Sequence, residues 1–500
     1  MNFKELLHPQ LDQFIVSQVD DCGEIFLVGG AIRNTYLQKE VQDLDFVVRK
    51  NAIKAAKNVA DHFSGDFYIL DKKRGTARAL ISIENKELKI DFTSLNGNSI
   101  GEDLNKRDFT INAMALRIPL SGEVIDPMNG EEDINNSILR SCSSNSFLDD
   151  PVRTIRAIRF INEFNLFFDQ REVKLIKNTS NKLDEISNER KRDEIINILE
   201  KTDVRKSLMQ MQEFGIIEKV FPEVIKMFML ELDSPHVHDA WEHTLQVVNY
   251  CQQLMVLLEK PLKSQRLHPR IKQAVNLLSK YEKNIFDYMN DRLNMNRSKY
   301  SLLIIASIYH DVGKGVITPV MKNNRISFPK HAKIGSELIH QRAKIMGFSN
   351  DEVECLTKLV RFHMKLSQKE FADKLRKDIH IHRFYNKTGS AGIMVGFLHL
   401  ADVLATYEDT LTDERWSRAI CSVNNIFDAY FIHYDKIVIP TKLINGNDIL
   451  NKYNLQPGKE IGNLLERVAE GQVSGEINTK EEAETFISHI LTYTKGLENL

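Results

Sequence analysis

Asp43-Leu44-Asp45 precedes the apolar run Phe46-Val47-Val48. On a strand, residues two apart point to the same side, so this spacing holds both carboxylates on one face. Like charges held that way repel. They are tolerated on a solvated surface, or where a divalent cation bridges them, and hard carboxylate oxygens suit Mg²⁺ shared with phosphate oxygens. Upstream, FLVGGAIRNTYL at 26–37 places an apolar strand before Gly29-Gly30 and a helix-like run after them. Backbone amides at such a turn approach a phosphate that a side chain would block. A third acid, Asp91 in LKIDFTSL, sits on another candidate strand, with an ordinary strand-edge acid as the alternative.

Two further segments carry charge beside apolar runs. In KRDFTINAMAL at 106–116, Arg107 and Asp108 are adjacent beside an apolar run and Asn112 follows, which by itself fits a plain ion pair. In DDPVRTIRAIRF at 149–160, Pro151 suits a first helical turn and Asp149 or Asp150 its N-cap. The sharper reading uses Asp150 and Arg153, three residues apart on one helix face. One accepts from an exocyclic amine, and the other donates to a ring nitrogen or carbonyl. Cytosine and adenine present an amine beside a ring acceptor; uracil and guanine do not present that order. Arg156 and Arg159 continue the basic stripe towards triphosphate or RNA, a structural pair being as good a reading for Arg159.

The third constellation is histidine-rich: 11 of the 15 histidines lie between 236 and 402, so a metal or acid–base role is expected there. IIASIYHDVGKG at 304–315 joins His310 to Asp311, imidazole beside carboxylate, which fits a divalent metal. His243 lies upstream and Asp402 downstream, His331 and His363 could complete a second metal position, and Lys314 could steady a phosphate. His236, His238, His380 and His382 are expected on the surface or in packing.

The elements that must position these groups follow from periodicity. Short β-branched runs at 25–28, 44–48, 66–70, 78–83, 88–92 and 123–126 predict an α+β domain. Apolar positions from 148 to 226 recur on a helical period, and the histidine-rich stretch looks helical without strand alternation. The tail from about 412 mixes helix and turn. Segment 261–300 carries nine Lys or Arg against three Asp or Glu, read as a solvated helix face in preference to a phosphate-facing patch. The 500 residues carry a net charge of −2, so any phosphate-binding surface must be local. Five cysteines form no C-x-x-C pair, so neither a zinc knuckle nor a redox couple is indicated, and a reducing compartment is the simplest reading. No stretch of about 18 uninterrupted apolar residues occurs, so the expectation is a soluble, cytoplasmic chain with no membrane partner.

These motifs carry a resemblance. Residues 26–48 resemble the first motif of the polymerase-beta-like nucleotidyltransferases, in the branch of bacterial tRNA nucleotidyltransferases and poly(A) polymerases. KRDFTINAMAL is similar to that branch's second motif, DDPVRTIRAIRF to its nucleotide-selecting motif, and ERKRDEIINIL at 189–199 to the helix that follows. The order His243, His310-Asp311, Asp402 resembles the HD phosphohydrolase superfamily across about 230–410, and 443–477 resembles the family's C-terminal motif. The fold implied is an α+β N-terminal nucleotidyltransferase domain, a small mixed sheet with helices, followed by mostly α-helical RNA-binding, HD-type and C-terminal domains. The expected boundaries are 1–147, 148–228, 229–411 and 412–500, the last a possible tRNA contact.

The resemblance implies CCA addition to the tRNA acceptor arm from CTP and ATP. Asp43 and Asp45 are then the catalytic carboxylates holding two Mg²⁺, with Asp91 a possible third. Gly29, Gly30, Arg33, Arg107, Asp108, Asn112, Asp150, Arg153, Arg156 and Arg159 contact nucleotide. His243, His310, Asp311 and Asp402, with His331 and His363, hold a divalent metal at the HD-type site. Two positions depart from the pattern: Asp149 stands where Glu is usual, and Lys106 where Arg is common. The alternatives are a poly(A) polymerase, a CC-adding or A-adding enzyme, a metal-dependent phosphohydrolase with an RNA-binding N-terminal region, and a non-catalytic RNA-binding scaffold. The sequence assigns no oligomeric state.

Overall fold

The computed structural model describes residues 3, 6–41, 43–255, 267–294, 297–322, 325–372 and 378–498. They form two compact units, one of residues 1–202 with 209–220, the other of 203–208 with 221–500.

In the first unit, β1 (Ile25–Val28), β2 (Asp43–Val48), β3 (Asp66–Asp71), β4 (Thr76–Ile83), β5 (Lys86–Ser94), β6 (Ala115–Arg117) and β7 (Val124–Ile125) form one sheet ordered β3-β4-β5-β2-β1-β6-β7. β2 and β5 run parallel, and every other neighbouring pair is antiparallel. The period of two in β2 divides its work. Leu44, Phe46 and Val48 are buried on one face, where Phe46 stacks on Phe92 with ring centres 5.1 Å apart. Val47 joins Phe26, Val28, Leu104, Ala113, Ala115 and Cys142 in a core on the other. Asp43 and Asp45 share that second face at its open end. A one-residue register slip would bury the carboxylates, so apolar burial holds the acids in place.

Helices α1 (Gly30–Tyr36), α2 (Ala52–His62) and α3 (Ile100–Asn105) belong to this sheet domain; α4 (Arg153–Glu163) and α5 (Asn188–Lys201) belong to the helical segment after it. The start of α4 corrects the expected cap. Val152 is its N-cap, no side chain caps it, and Asp150 is extended at φ −150° in the preceding turn. Asp150 and Arg153 therefore do not share a helix face.

The second unit is mainly helical, with α6 (Ala240–Leu254), α7 (Lys299–Tyr309), α8 (His331–Ile345), α9 (Asn350–Phe362), α10 (Gly392–Tyr407), α11 (Asp413–Phe431) and α12 (Lys459–Ser474) among its helices. Two short antiparallel ladders, Arg292–Asn294 with Arg297–Ser298 and Val320–Lys322 with Arg325–Ser327, interrupt the stretch expected to lack strands. Two or three residues are too few to show alternation. The helical stretch Asp378–Thr410 is long and apolar enough to cross a membrane by length and composition, yet 83% of its most apolar window is buried inside the fold.

Of the basic segment 261–300, residues 261–266 and 295–296 lie outside the described residues. In the rest, Arg270 pairs with Asp413, Lys299 with Asp291 and Arg297 with Glu352. The tail has its own core, including Ile449, Ile461, Leu464, Val468 and Ile487. The glycine-rich turn at Gly446 opens a helix whose first amides are met by Asn445 and Asp448 in a capping box.

The Arg297–Glu352 pair is buried, with guanidinium-to-carboxylate distances of 2.6 and 2.9 Å, and Glu352 also accepts from the Ser349 amide at 2.7 Å. Glu352→Ala leaves a buried guanidinium without that partner. The expected loss is about 3 kcal/mol of unfolding free energy in urea titrations; a loss below about 1 kcal/mol, the scale of an exposed pair, would show that the pair is dispensable.

Candidate active sites

The first site begins where β1 ends. Gly29 turns the chain at φ +70°, and a Cβ there would stand 3.2 Å from Arg107 Nη1 and 3.4 Å from the Asn112 carbonyl oxygen. Only glycine leaves that turn open. Arg107 is anchored by its Nε and Nη2, each 3.2 Å from Asp103 Oδ2, which directs its remaining nitrogen to the turn.

Parallel pairing sets Asp45 level with Asp91 and Asp43 level with Lys89. Arg78 donates to both oxygens of Asp91 at 2.7 and 2.8 Å, so that charge is met within the protein. Asp43 is largely exposed, 3.3 Å from Lys89 Nζ. Burial raises the Asp45 carboxyl, and Asp91 and Asp43 raise it further against the lowering effect of Arg107 and Lys89. A carboxyl so placed gains from a nearby cation. Asp43 and Asp45, oxygen donors on one strand face, thus fit hard divalent ions, while Asp91 is occupied by Arg78.

A polar chain runs from α1 into the helical segment. Arg33 donates to Asn112 Oδ1, and its guanidinium lies over the Phe164 ring, 4.4 Å from the centroid. Burial pushes its pKa down to about 10. Asn112 donates to Asp108 at 3.1 Å, and Arg156 donates to Asp108 at 2.8 and 3.0 Å. Arg156 continues to Glu194 at 2.7 Å, and Arg159 reaches Glu194 and Glu163, both at 3.1 Å. Burial alone would raise Asp108; Arg156, Asn112 and the Phe109 amide outweigh it and hold the carboxyl at about 2. Arg156 and Arg159 are thus engaged by carboxylates, and Arg107 and Asp108 pair with other partners, not with each other.

Arg153 donates to the Ser146 hydroxyl at 2.8 Å and to the carbonyls of Ser146, Arg107 and Lys106 at 3.2, 3.3 and 3.0 Å. The same loop therefore presents Arg107 to the Gly29 turn and fixes Arg153. Asp150 Oδ2 accepts from Arg190 at 2.7 Å, while its buried Oδ1 has no hydrogen-bond partner. Asp149 is exposed. Sequence reasoning singled out Asp150 and Arg153 but missed Ser146, Arg190 and Glu194. The last two sit four residues apart in ERKRDEIINIL, a one-turn spacing that could have pointed to a shared face.

The second site lies in the other unit. Asp311 is buried at its centre. Its Oδ2 is 3.4 Å from His310 Nε2 and 3.8 Å from His243 Nε2; its Oδ1 is 3.3 and 3.7 Å from the Nε2 atoms of His331 and His363. Asp402 Oδ1 stands 3.2 Å from His243 Nε2. The two oxygens of one carboxylate thus divide the ligating atoms into two groups, His243–His310–Asp311 and Asp311–His331–His363.

The rings are oriented from behind. The Nδ1 groups of His310, His331 and His363 donate to the carbonyls of Ser307, Phe328 and Val360 at 2.8, 2.9 and 2.8 Å. A carbonyl only accepts, so each Nδ1 carries the proton and each Nε2 keeps its lone pair for the centre. Burial pushes His363 down to about 4, a neutral ligand. Burial would lower His310 too, but Asp311 and Asp402 raise it, so the centre favours positive charge. This mixed nitrogen and oxygen set fits divalent metal. Lys314 Nζ lies 2.6 Å from Asp311, and His236, expected to be peripheral, lies edge-on to His243 and 3.4 Å from Lys314.

Comparison with known proteins matches three family models to this chain, in order: the poly A polymerase head domain over 25–140, the probable RNA and SrmB- binding site of polymerase A over 165–228, and the HD domain over 240–407. An A-adding tRNA nucleotidyltransferase of Deinococcus radiodurans is 24% identical across 94% of this chain and 96% of its own. A CC-adding tRNA nucleotidyltransferase of Thermus thermophilus is 25% identical across 93% of each. The fold matches that of the Thermotoga maritima CCA-adding enzyme complexed with tRNA, with a TM-score of 0.56 and 19% identity, covering 98% of this chain and 99% of that one.

The Asp108 network makes stability depend on pH. A carboxyl held below its ordinary 3.8 stabilises the fold above that value and loses the effect as pH falls to about 2. Asp108→Asn should therefore cost about 2 kcal/mol at pH 6 and progressively less below pH 4, read from urea melts across the range. An equal deficit at pH 6 and pH 3 would place the cost in packing instead of charge.

Proposed function

We propose that this chain, which belongs with the tRNA nucleotidyltransferases and poly(A) polymerases that carry an HD domain, adds CCA, or part of it, to tRNA 3′ ends from CTP and ATP without a nucleic-acid template. One observation carries the reading. The loop at 106–107 brings Arg107 to the open Gly29 turn and, through its carbonyls, fixes Arg153, so triphosphate-binding and base-reading groups share one network. The A-adding and CC-adding relatives, aligned over nearly the whole chain, support the reaction class.

Asp43 and Asp45 would hold the two Mg²⁺, which when bound activate the terminal ribose hydroxyl and neutralise the leaving pyrophosphate. Arg107 balances the triphosphate over the glycine turn. Asp150 offers its unpartnered Oδ1 to the exocyclic amine of cytosine or adenine, while Arg190 holds the other oxygen; Arg153, locked by four acceptors, supplies the donor beside it. Arg33, Asn112, Asp108 and Arg156 brace this pocket. The helical segments hold the tRNA acceptor arm through phosphates and shape. Five unpaired cysteines suit a cytoplasmic enzyme.

A second reaction belongs to the HD centre: metal-dependent hydrolysis of a phosphoester. Its support is the inward Nε2 set around Asp311, with Lys314 beside it. His243, His310, Asp311, Asp402, His331 and His363 would hold the metal, which supplies an activated water.

The test is incorporation of CTP and ATP, singly and together, into tRNAs ending before the tail, after C and after CC. Stepwise C, C, A and a stop is expected. Arrest after CC, A alone, or an A ladder would select the narrower transferases, and no incorporation by folded protein with Mg²⁺ would overturn the reading. Asp43→Ala should reduce incorporation by at least about 1,000-fold with HD-site hydrolysis unchanged, and Asp311→Ala should do the reverse. Arg190→Gln should lower the preference for CTP over UTP by about tenfold, the value of one charge-assisted hydrogen bond; unchanged preference would remove Arg190 from base reading.

A further inference from the structure

We infer that the HD-centred cavity contains a second anion subsite, made by Arg415 and Arg418, and that its substrate carries two phosphates: a terminal phosphomonoester at the Asp311 centre and a second phosphate one nucleoside away. This rests on the HD-site hydrolase reading above.

The cavity has a volume of about 490 Å³, within the range of roughly 300–1,000 Å³ that holds one small ligand. Asp311, Lys314 and Asp402 line it together with Tyr407, Arg415 and Arg418. Asp402 and Tyr407 are five residues apart on α10, a displacement of about 7.5 Å along the helix axis. The arginines thus stand near the Tyr407 end, set off from the metal ligands by about the length of a nucleoside.

Charge separates these arginines from the other cation in the cavity. Lys314 is already neutralised by Asp311 at 2.6 Å. Among the described residues Arg415 has no carboxylate within ion-pair distance. Its guanidinium carbon lies over the Tyr407 ring, 4.0 Å from the centroid. That contact holds the group against the ring face and leaves N–H donors for a phosphate. Among the described residues the carboxylate that Arg418 meets is that of Glu414, at 3.7 Å and 83% exposed, a weak solvated contact. Arg415 falls in the first turn of α11, where the helix dipole disfavours a cation and favours an anion, so an added phosphate would relieve it. His399 supplies an independent polar group: it lines the same cavity, is 3% exposed, and its Nδ1 has no hydrogen-bond partner. A ribose hydroxyl between the two phosphates would satisfy it.

The reaction is hydrolysis of the terminal phosphomonoester, water breaking the P–O bond to give a ribose hydroxyl and inorganic phosphate. The second phosphate, bound by the arginines, stays on the product. It comes either from a free nucleoside bisphosphate or from the last internucleotide linkage of an RNA end.

The test uses uridine compounds, whose base the transferase pocket rejects. With the full chain and Mn²⁺, phosphate release is measured from uridine 3′-monophosphate, uridine 3′,5′-bisphosphate and the dinucleotide UpUp. The bisphosphate or the dinucleotide should show kcat/KM at least about tenfold above the monophosphate, through KM. Whichever is preferred identifies free nucleotide or RNA end. The double variant Arg415→Gln, Arg418→Gln should erase that preference with kcat and the monophosphate reaction unchanged. Calorimetry with EDTA present should show the same variant binding the bisphosphate at least about tenfold more weakly. Equal kcat/KM for one and two phosphates in the wild type, or a variant that loses both reactions alike, would overturn the subsite and leave the hydrolase reading intact. No phosphate release from any of the three would overturn both.

Discussion

The parallel pairing of β2 with β5 is the constraint on which the first site depends. It sets Asp45 beside Asp91 and Asp43 beside Lys89, concentrating charge at one end of a sheet face whose remainder is apolar. Carboxylates this close would push each other apart in a flexible loop. Here Phe46 stacked on Phe92, with Leu44 and Val48 buried around it, fixes the strand through its other face. The repulsion is then partly met by Arg78, which takes Asp91 in a two-point contact. What remains is a pair of acids held in place and short of positive charge, an arrangement that gains from added cations because the scaffold cannot relax.

The helical segment applies the opposite treatment to its charges. Asp108, Arg156, Glu194 and Arg159 neutralise one another in sequence, so they contribute rigidity and little outward field. Beside them Asp150 Oδ1 is buried without a hydrogen-bond partner, and Arg107 Nη1 faces the glycine turn. A buried acceptor left open beside such a rigid network favours a ligand that donates to it, because any other leaves it unmet.

The motifs were legible in the sequence to different depths for physical reasons. Asp43 and Asp45 could be placed on one face because strand period is local, and six of the seven strands of the large sheet follow from β-branched runs. β6 did not, since Ala115, Leu116 and Arg117 include no β-branched residue and are too few to show alternation. Asp150 was expected to cap a helix and share its face with Arg153. Instead it ends the short helix Ser146–Asp149 and accepts from Arg190, 40 residues away, and sequence spacing carries no record of such a contact. The same limit applies to Ser146, which holds Arg153, and to His236, which meets His243 across a loop. Histidine clustering did point to the second centre, but not to the division of ligands between the two oxygens of Asp311.

That division shows how the two centres differ. In the first, oxygen donors on one strand are spaced by backbone geometry alone, and the site is open on one side. In the second, donors from distant helices converge, so backbone spacing cannot align them, and each ring must be oriented individually. The carbonyls of Ser307, Phe328 and Val360 do this from three residues upstream of each histidine. The repeated i−3 contact is a local solution to a long-range problem. A histidine that ends or begins a helix finds a free carbonyl one turn back, and the hydrogen bond it makes there decides both ring angle and tautomer. Convergence then requires only that the helices pack correctly, which their apolar faces ensure. The precision of the centre is thus borrowed from the hydrophobic core, as that of the first site is borrowed from the sheet.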